Sequence, residues 1–209
     1  MSWLTLVAKQ SGSISGVSVF LLLMGTLPIR VFAVDLIPDG IGLSGGKYIF
    51  DKANISNARI AARWDWDQDF ISHPRWKLDG YFDLGYSQWQ SHLSVKDQPS
   101  PNGADKAWQV GFSPVFRLSP ELRYAMTPFL DFGVGISYQS KKNMEKKLKS
   151  PINMGGHTQF EIRTLVGFQF GEKKNYELSY GWFHYSNAHL HPQNEALDFQ
   201  VLNFTVKVK

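Results

Sequence analysis

FEIRTLVGFQF, residues 160 to 170, decides the fold. Its even positions are Phe160, Ile162, Thr164, Val166, Phe168 and Phe170, and its odd positions are Glu161, Arg163, Leu165, Gly167 and Gln169. Successive side chains of a β-strand point to opposite faces, so a strand here is greasy on one side and mostly polar or small on the other. The same division recurs in residues 129 to 138, where Leu130, Phe132, Val134, Ile136 and Tyr138 oppose Asp131, Gly133, Gly135 and Ser137. Residues 58 to 66 set Ile60, Ala62, Trp64 and Trp66 against Arg59, Ala61, Arg63 and Asp65.

Working outward, eight such segments appear, near 38 to 47, 57 to 66, 76 to 90, 106 to 118, 122 to 138, 157 to 170, 175 to 186 and 197 to 209. Their connections alternate in length. Longer polar ones fall near 48 to 56, 91 to 105, 139 to 156 and 187 to 196, and generally shorter ones near 67 to 75, Ser119 to Glu121 and Gly171 to Lys174. An even number of strands with long loops at one end and tight turns at the other is the pattern of an outer-membrane barrel.

A soluble sandwich or lipocalin-like barrel would also alternate, and the composition of the two faces separates the readings. The minor face carries Arg59, Arg63, Lys77, Arg117 and Arg163 against Asp65, Asp79, Asp83, Asp131, Glu161 and Glu177, five positive and six negative. Such near-balance suits a lumen plugged by paired charges, and the glycines on that face suit a crowded interior. The opposite face carries Trp64, Trp66, Trp76, Trp108 and Trp182 toward strand ends, as an aromatic girdle does. The expected fold is all-β, an eight-stranded antiparallel transmembrane β-barrel of the outer-membrane type.

The 209-residue length fits one domain, and the net charge of +4 with no interleaving of basic and aromatic residues argues against a nucleic-acid partner. The absence of cysteine removes disulfides and thiol nucleophiles from consideration. Lys9 precedes an apolar run from Val17 to Leu27 and then Val31-Phe32-Ala33, the pattern of a secretory signal at residues 1–33 cleaved after Ala33. The run is shorter than the roughly 20 residues a helical span needs. The barrel domain is then residues 34–209.

The seventh segment places Tyr176, Leu178, Tyr180, Trp182, His184 and Ser186 on the lipid face. Leu202, Phe204, Val206 and Val208 share parity with Asp198 in the last segment. Antiparallel pairing brings Asp198 beside His184. A polar histidine and serine facing lipid are costly unless used, because the bilayer offers no hydrogen bonds. In triad logic the imidazole takes the serine proton during attack on an acyl carbonyl, and a carboxylate orients the imidazole. The alternative is an ordinary interfacial His and Ser rimming a loop.

His184-Tyr185-Ser186-Asn187-Ala188, followed by Asn194 and an acid at 198, resembles the C-terminal motif of the lipid A 3-O-deacylases of the PagL type. The likeness extends more weakly over most of the chain beyond the leader, including Arg63-Trp64-Asp65-Trp66 and Ser113-Pro114-Val115-Phe116-Arg117. The resemblance implies an eight-stranded outer-membrane barrel in a Gram-negative bacterium, hydrolysing the ester-linked 3-hydroxyacyl chain at position 3 of lipid A without a cofactor. It assigns His184 as base, Ser186 as nucleophile and Asp198 as acid.

The chain departs from the family in three places. Asp198 stands where the family has glutamate, which leaves Glu195 as an alternative acid. His189 stands where glycine is usual, so the side chains of Asn187 and Asn194 are the expected oxyanion donors. The chain ends Lys207-Val208-Lys209 rather than in an aromatic residue.

His184, His189 and His191 lack a known zinc-ligand spacing, and no metal is expected. The lysine-rich run 141 to 149 falls in a long loop, where it is either a solvated charge run or a contact for lipopolysaccharide phosphates. The expected partners are lipopolysaccharide and outer-membrane lipids, with the chain a monomer or homodimer. An outer-membrane phospholipase and a non-enzymatic structural or adhesion barrel are the competing readings.

Overall fold

The computed structural model describes residues 36–67, 69–121 and 125–208; the expected leader at 1–33 lies outside them. Eight long strands run in chain order: β1 (Gly40–Tyr48), β2 (Ile55–Asp65), β3 (Trp76–Ser91), β4 (Lys106–Pro120), β5 (Thr127–Gln139), β6 (Thr158–Phe170), β7 (Tyr176–Ser186) and β8 (Leu197–Lys207). Each pairs antiparallel with its sequence neighbours. β1 also pairs with β8, Gly40 opposite Lys207 and Tyr48 opposite Phe199, which closes the sheet into a barrel. Closure removes the unpaired edges that lipid would leave without hydrogen bonds.

The greasy face points outward. On β5 and β6, Ile136 is 54% exposed and Val166 57%, whereas Arg163 is 1% exposed and Glu161 fully buried. Inside, Arg117 donates from Nε to Asp131 at 2.7 Å and from Nη1 to Glu177 at 2.7 Å, and Arg63 donates to the same Glu177 at 2.6 Å. One storey nearer the long loops, Arg163 donates to Asp83 at 2.8 Å and also pairs with Glu161, while Arg59 pairs with Asp83. Four buried arginines therefore face four buried carboxylates, Asp83, Asp131, Glu161 and Glu177. A buried ion is tolerable only with such compensation. Gly85 lies in this layer, where a Cβ would overlap the Arg59 guanidinium.

Breaking a buried pair by removing one partner costs about 3–5 kcal/mol. Glu177→Ala, which takes one carboxylate from both Arg63 and Arg117 and leaves them Asp65 and Asp131, is expected to lower the urea midpoint of the folded barrel clearly. The gel shift between folded and unfolded forms in detergent reads this, and an unchanged midpoint would contradict the plug.

Toward the long loops the interior turns apolar. Trp89, Phe183, Tyr185, Phe199 and Leu197 pack with Met144, Ile152 and Met154, which come from the connection between β5 and β6. That connection folds back on itself, Asn143 and Met144 pairing with Asn153 and Ile152. The long-loop end is thus a packed cap, and it supports the ends of β7 and β8.

Two boundaries differ from the sequence reading. β5 begins at Thr127, with residues 125 and 126 in a bend, and residues 122 to 124 of the expected strand lie outside the described residues. Alternation continues through residues 122 to 126, but β6 ends at Phe170 before Gly171 at φ 91°. Thr127 pairs with Gln169, one residue from that end. The connection 67 to 75 contains a short strand, Ile71–His73, laid against Trp76, Lys77 and Leu78.

Candidate active site

β7 carries the centre of the site because its outward parity runs through Trp182, His184 and Ser186 to the strand's last residue. β8 runs antiparallel beside it with His184 directly opposite Asp198. The cross-strand pair puts imidazole and carboxylate in reach, and the two-residue step puts serine on the other side of the same ring. His184 Nδ1 lies 2.8 Å from Asp198 Oδ1, and His184 Nε2 lies 2.8 Å from Ser186 Oγ. The carboxylate accepts only, so Nδ1 carries the proton and Nε2 presents its lone pair to the serine hydroxyl. The structure brings together His184, Ser186 and Asp198, the three residues singled out in the sequence.

Glu195 is placed elsewhere. Its Oε1 accepts from Lys146 Nζ at 2.6 Å and its Oε2 from the Asn153 backbone N–H at 2.9 Å. Burial pushes its carboxyl up, but Lys146, the Asn153 amide and Lys52 outweigh this and hold it below the usual carboxylate range. Glu195 ties the last long loop to the β5–β6 connection and makes no hydrogen bond to His184 among the described residues.

Asn187 also differs from expectation. It is fully buried, and its Nδ2 donates to the carbonyls of Met154 and Gln193 at 2.8 and 2.6 Å. With both amide hydrogens committed to the loop scaffold, Asn187 is a structural clamp rather than an oxyanion donor. The amide of Asn194 is less committed. Its Oδ1 accepts the Asn187 backbone N–H at 2.8 Å, and among the described residues its exposed Nδ2 reaches only His189 Nδ1 at 3.3 Å.

The chain turns sharply after the serine. Leu190 N–H donates to Asn187 O at 3.0 Å, with Ala188 at φ 50° and His189 at φ 63°. Two left-handed residues across a tight turn strain any side-chain-bearing residue, by roughly 1–2 kcal/mol each. Glycine would adopt this backbone without strain, and histidine is among the residues that visit it more readily. His189 therefore preserves the turn geometry. The histidines of this segment diverge, His184 to the acid, His189 to Asn194 and His191 against Gly156.

Sequence reasoning missed a fourth member of the cluster. Trp182 Nε1 donates to Asp198 Oδ1 at 3.0 Å, and its ring lies 5.3 Å from the His184 ring at 38°. The shared parity two residues before His184 was the available signal, read only as girdle. Lys146 had no such signal, because its contact with Glu195 depends on how two long loops fold together.

Residues 56–207 match the family profile described as Lipid A 3-O-deacylase (PagL). The Lipid A deacylase PagL of Pseudomonas aeruginosa is 26% identical over 150 residues, covering 72% of this chain and 77% of that protein. The crystal structure of the outer membrane enzyme PagL superposes with a TM-score of 0.66 at 22% identity, covering 81% of this chain and 99% of that one.

Proposed function

Because the chain belongs to the lipid A 3-O-deacylase (PagL) family of outer-membrane barrel enzymes, we propose that it removes the ester-linked 3-hydroxyacyl chain at position 3 of lipid A by a serine-type mechanism on its lipid-facing surface. Ser186 is the nucleophile, His184 the general base and Asp198 the orienting acid. The observation that carries this reading is the continuous relay from Ser186 Oγ through both ring nitrogens of His184 to Asp198 Oδ1, each step 2.8 Å.

In this mechanism Ser186 Oγ attacks the ester carbonyl carbon while its proton passes to His184 Nε2. The resulting imidazolium is stabilised by Asp198. The tetrahedral intermediate expels the sugar oxygen, which takes the proton back from His184, and leaves an acyl-serine. Water, deprotonated by the same imidazole, then releases the 3-hydroxy fatty acid and restores Ser186. An outward-facing site suits a substrate whose acyl chains lie alongside the barrel, since the ester reaches the strand rim without leaving the bilayer.

Asn194 Nδ2 is the side-chain donor proposed for the oxyanion. Asn194→Asp keeps the oxygen that holds the Asn187 N–H but removes the donor. It is expected to lower kcat by about 10²–10³ with the barrel intact by gel shift; wild-type turnover would remove Asn194 from the oxyanion site.

The experiment for the function is incubation of the purified protein with lipopolysaccharide in detergent. Release of 3-hydroxy fatty acid is expected to continue in excess EDTA. Loss in EDTA with rescue by calcium, together with fatty-acid release from phospholipid vesicles, would point instead to a phospholipase.

A further inference from the structure

We propose that Trp182 is a positioning residue for the acid–base pair, its indole N–H holding the Asp198 carboxylate and its ring face bracing the His184 imidazole. This rests on the triad reading above. Asp198 Oδ1 accepts two hydrogen bonds, one from His184 Nδ1 at 2.8 Å and one from Trp182 Nε1 at 3.0 Å. The terminal torsion of an aspartate is broad and roughly two-fold, so a single contact to histidine leaves the carboxylate free to swing. A second donor on the same oxygen removes that freedom. Both donors address an anion at a lipid-facing rim, where low dielectric strengthens them.

The ring makes a second contribution. Its centroid lies 5.3 Å from that of His184 at 38°, close enough for the indole face to attract an imidazolium. That charge exists only after Ser186 has given up its proton, so the benefit falls on turnover rather than on substrate binding.

A tryptophan at this level is ordinarily an interfacial anchor. Trp182 differs because its N–H is directed at a carboxylate, whereas the buried indole nitrogens of Trp64 and Trp66 have no hydrogen-bond partner among the described residues.

The test uses the full-length protein in detergent with lipopolysaccharide. Trp182→Phe keeps an aromatic ring and removes the N–H; kcat is expected to fall about tenfold with KM within about twofold. In the Asp198→Glu background, where one more methylene carries the carboxylate away from the indole N–H while it still reaches His184, the same change is expected to cost less than about threefold, the coupling a double-mutant cycle isolates. Wild-type kcat in Trp182→Phe, or an equal loss in both backgrounds, overturns the proposal. A readout independent of that variant's folding is the Trp182 indole N–H resonance in micelles. It is expected downfield and slow to exchange in the wild type and to move upfield in Asp198→Ala; an unmoved resonance also overturns the proposal. An inactive Ser186→Ala beside a fully active Trp182→Phe refutes the role of Trp182 alone, while an active Ser186→Ala refutes the triad itself.

Discussion

Ser186→Ala is expected to lose deacylation by about 10⁶ in kcat, the scale on which a serine triad fails when its nucleophile is removed. His184→Ala is expected to lose about as much, and the double variant little more, because the two act as one unit. The barrel itself has small stake in either side chain. Ser186 ends β7 and His184 stands on its outward face, while the neighbouring inward residues Phe183 and Tyr185 carry the packing. Both variants are therefore expected to keep the gel shift of the folded barrel. Release of 3-hydroxy fatty acid from lipopolysaccharide measures the first point and electrophoresis without heating the second. A folded Ser186→Ala with wild-type turnover would remove the serine from the mechanism.

The second large effect is expected at the acid. Asp198→Asn keeps the shape but turns an amide NH2 toward His184 Nδ1 where a carboxylate stands, at the expense of the contact to Trp182, whose N–H is directed at the same oxygen. The imidazole then settles in the wrong tautomer, a change that costs a serine protease triad about 10⁴ in turnover. Asp198→Glu is expected to retain much of the activity, since it keeps the charge on the same outward position opposite His184. Glu195→Gln is expected to be nearly silent in turnover, because Glu195 is occupied by Lys146 and Asn153. The same release assay, run on the three variants, checks all of this. A dead Glu195→Gln beside an active Asp198→Asn would transfer the orienting role to Glu195.

The barrel and the juxtaposition of His184, Ser186 and Asp198 were legible in the sequence for one shared reason. Side-chain direction in a strand is a local property, so parity alone puts Arg163 inside and Val166 outside, and the same count puts His184, Ser186 and Asp198 on one face. Antiparallel pairing of neighbouring strands then needs only a register, which the parity of β7 and β8 supplied. What escaped depends on contacts between segments distant in sequence. Asn187 was expected at the oxyanion, yet its amide is consumed by Met154, thirty-three residues away. Glu195 was a reserve acid until Lys146 claimed it from another loop. Trp182 had the right parity, but a girdle tryptophan and one directed at a carboxylate read alike until the side chain is placed.

The central claim is that a lipid-facing serine triad on this barrel cleaves the 3-position ester of lipid A. Mass spectrometry of lipid A from Gram-negative cells carrying the wild-type chain, against cells carrying Ser186→Ala at equal barrel abundance, tests it most directly. The account predicts that the wild type shifts lipid A down by the mass of one 3-hydroxyacyl group lost from position 3, and that Ser186→Ala leaves it unshifted. An unshifted spectrum with the wild-type barrel folded in the membrane, or the same shift from Ser186→Ala, would contradict it.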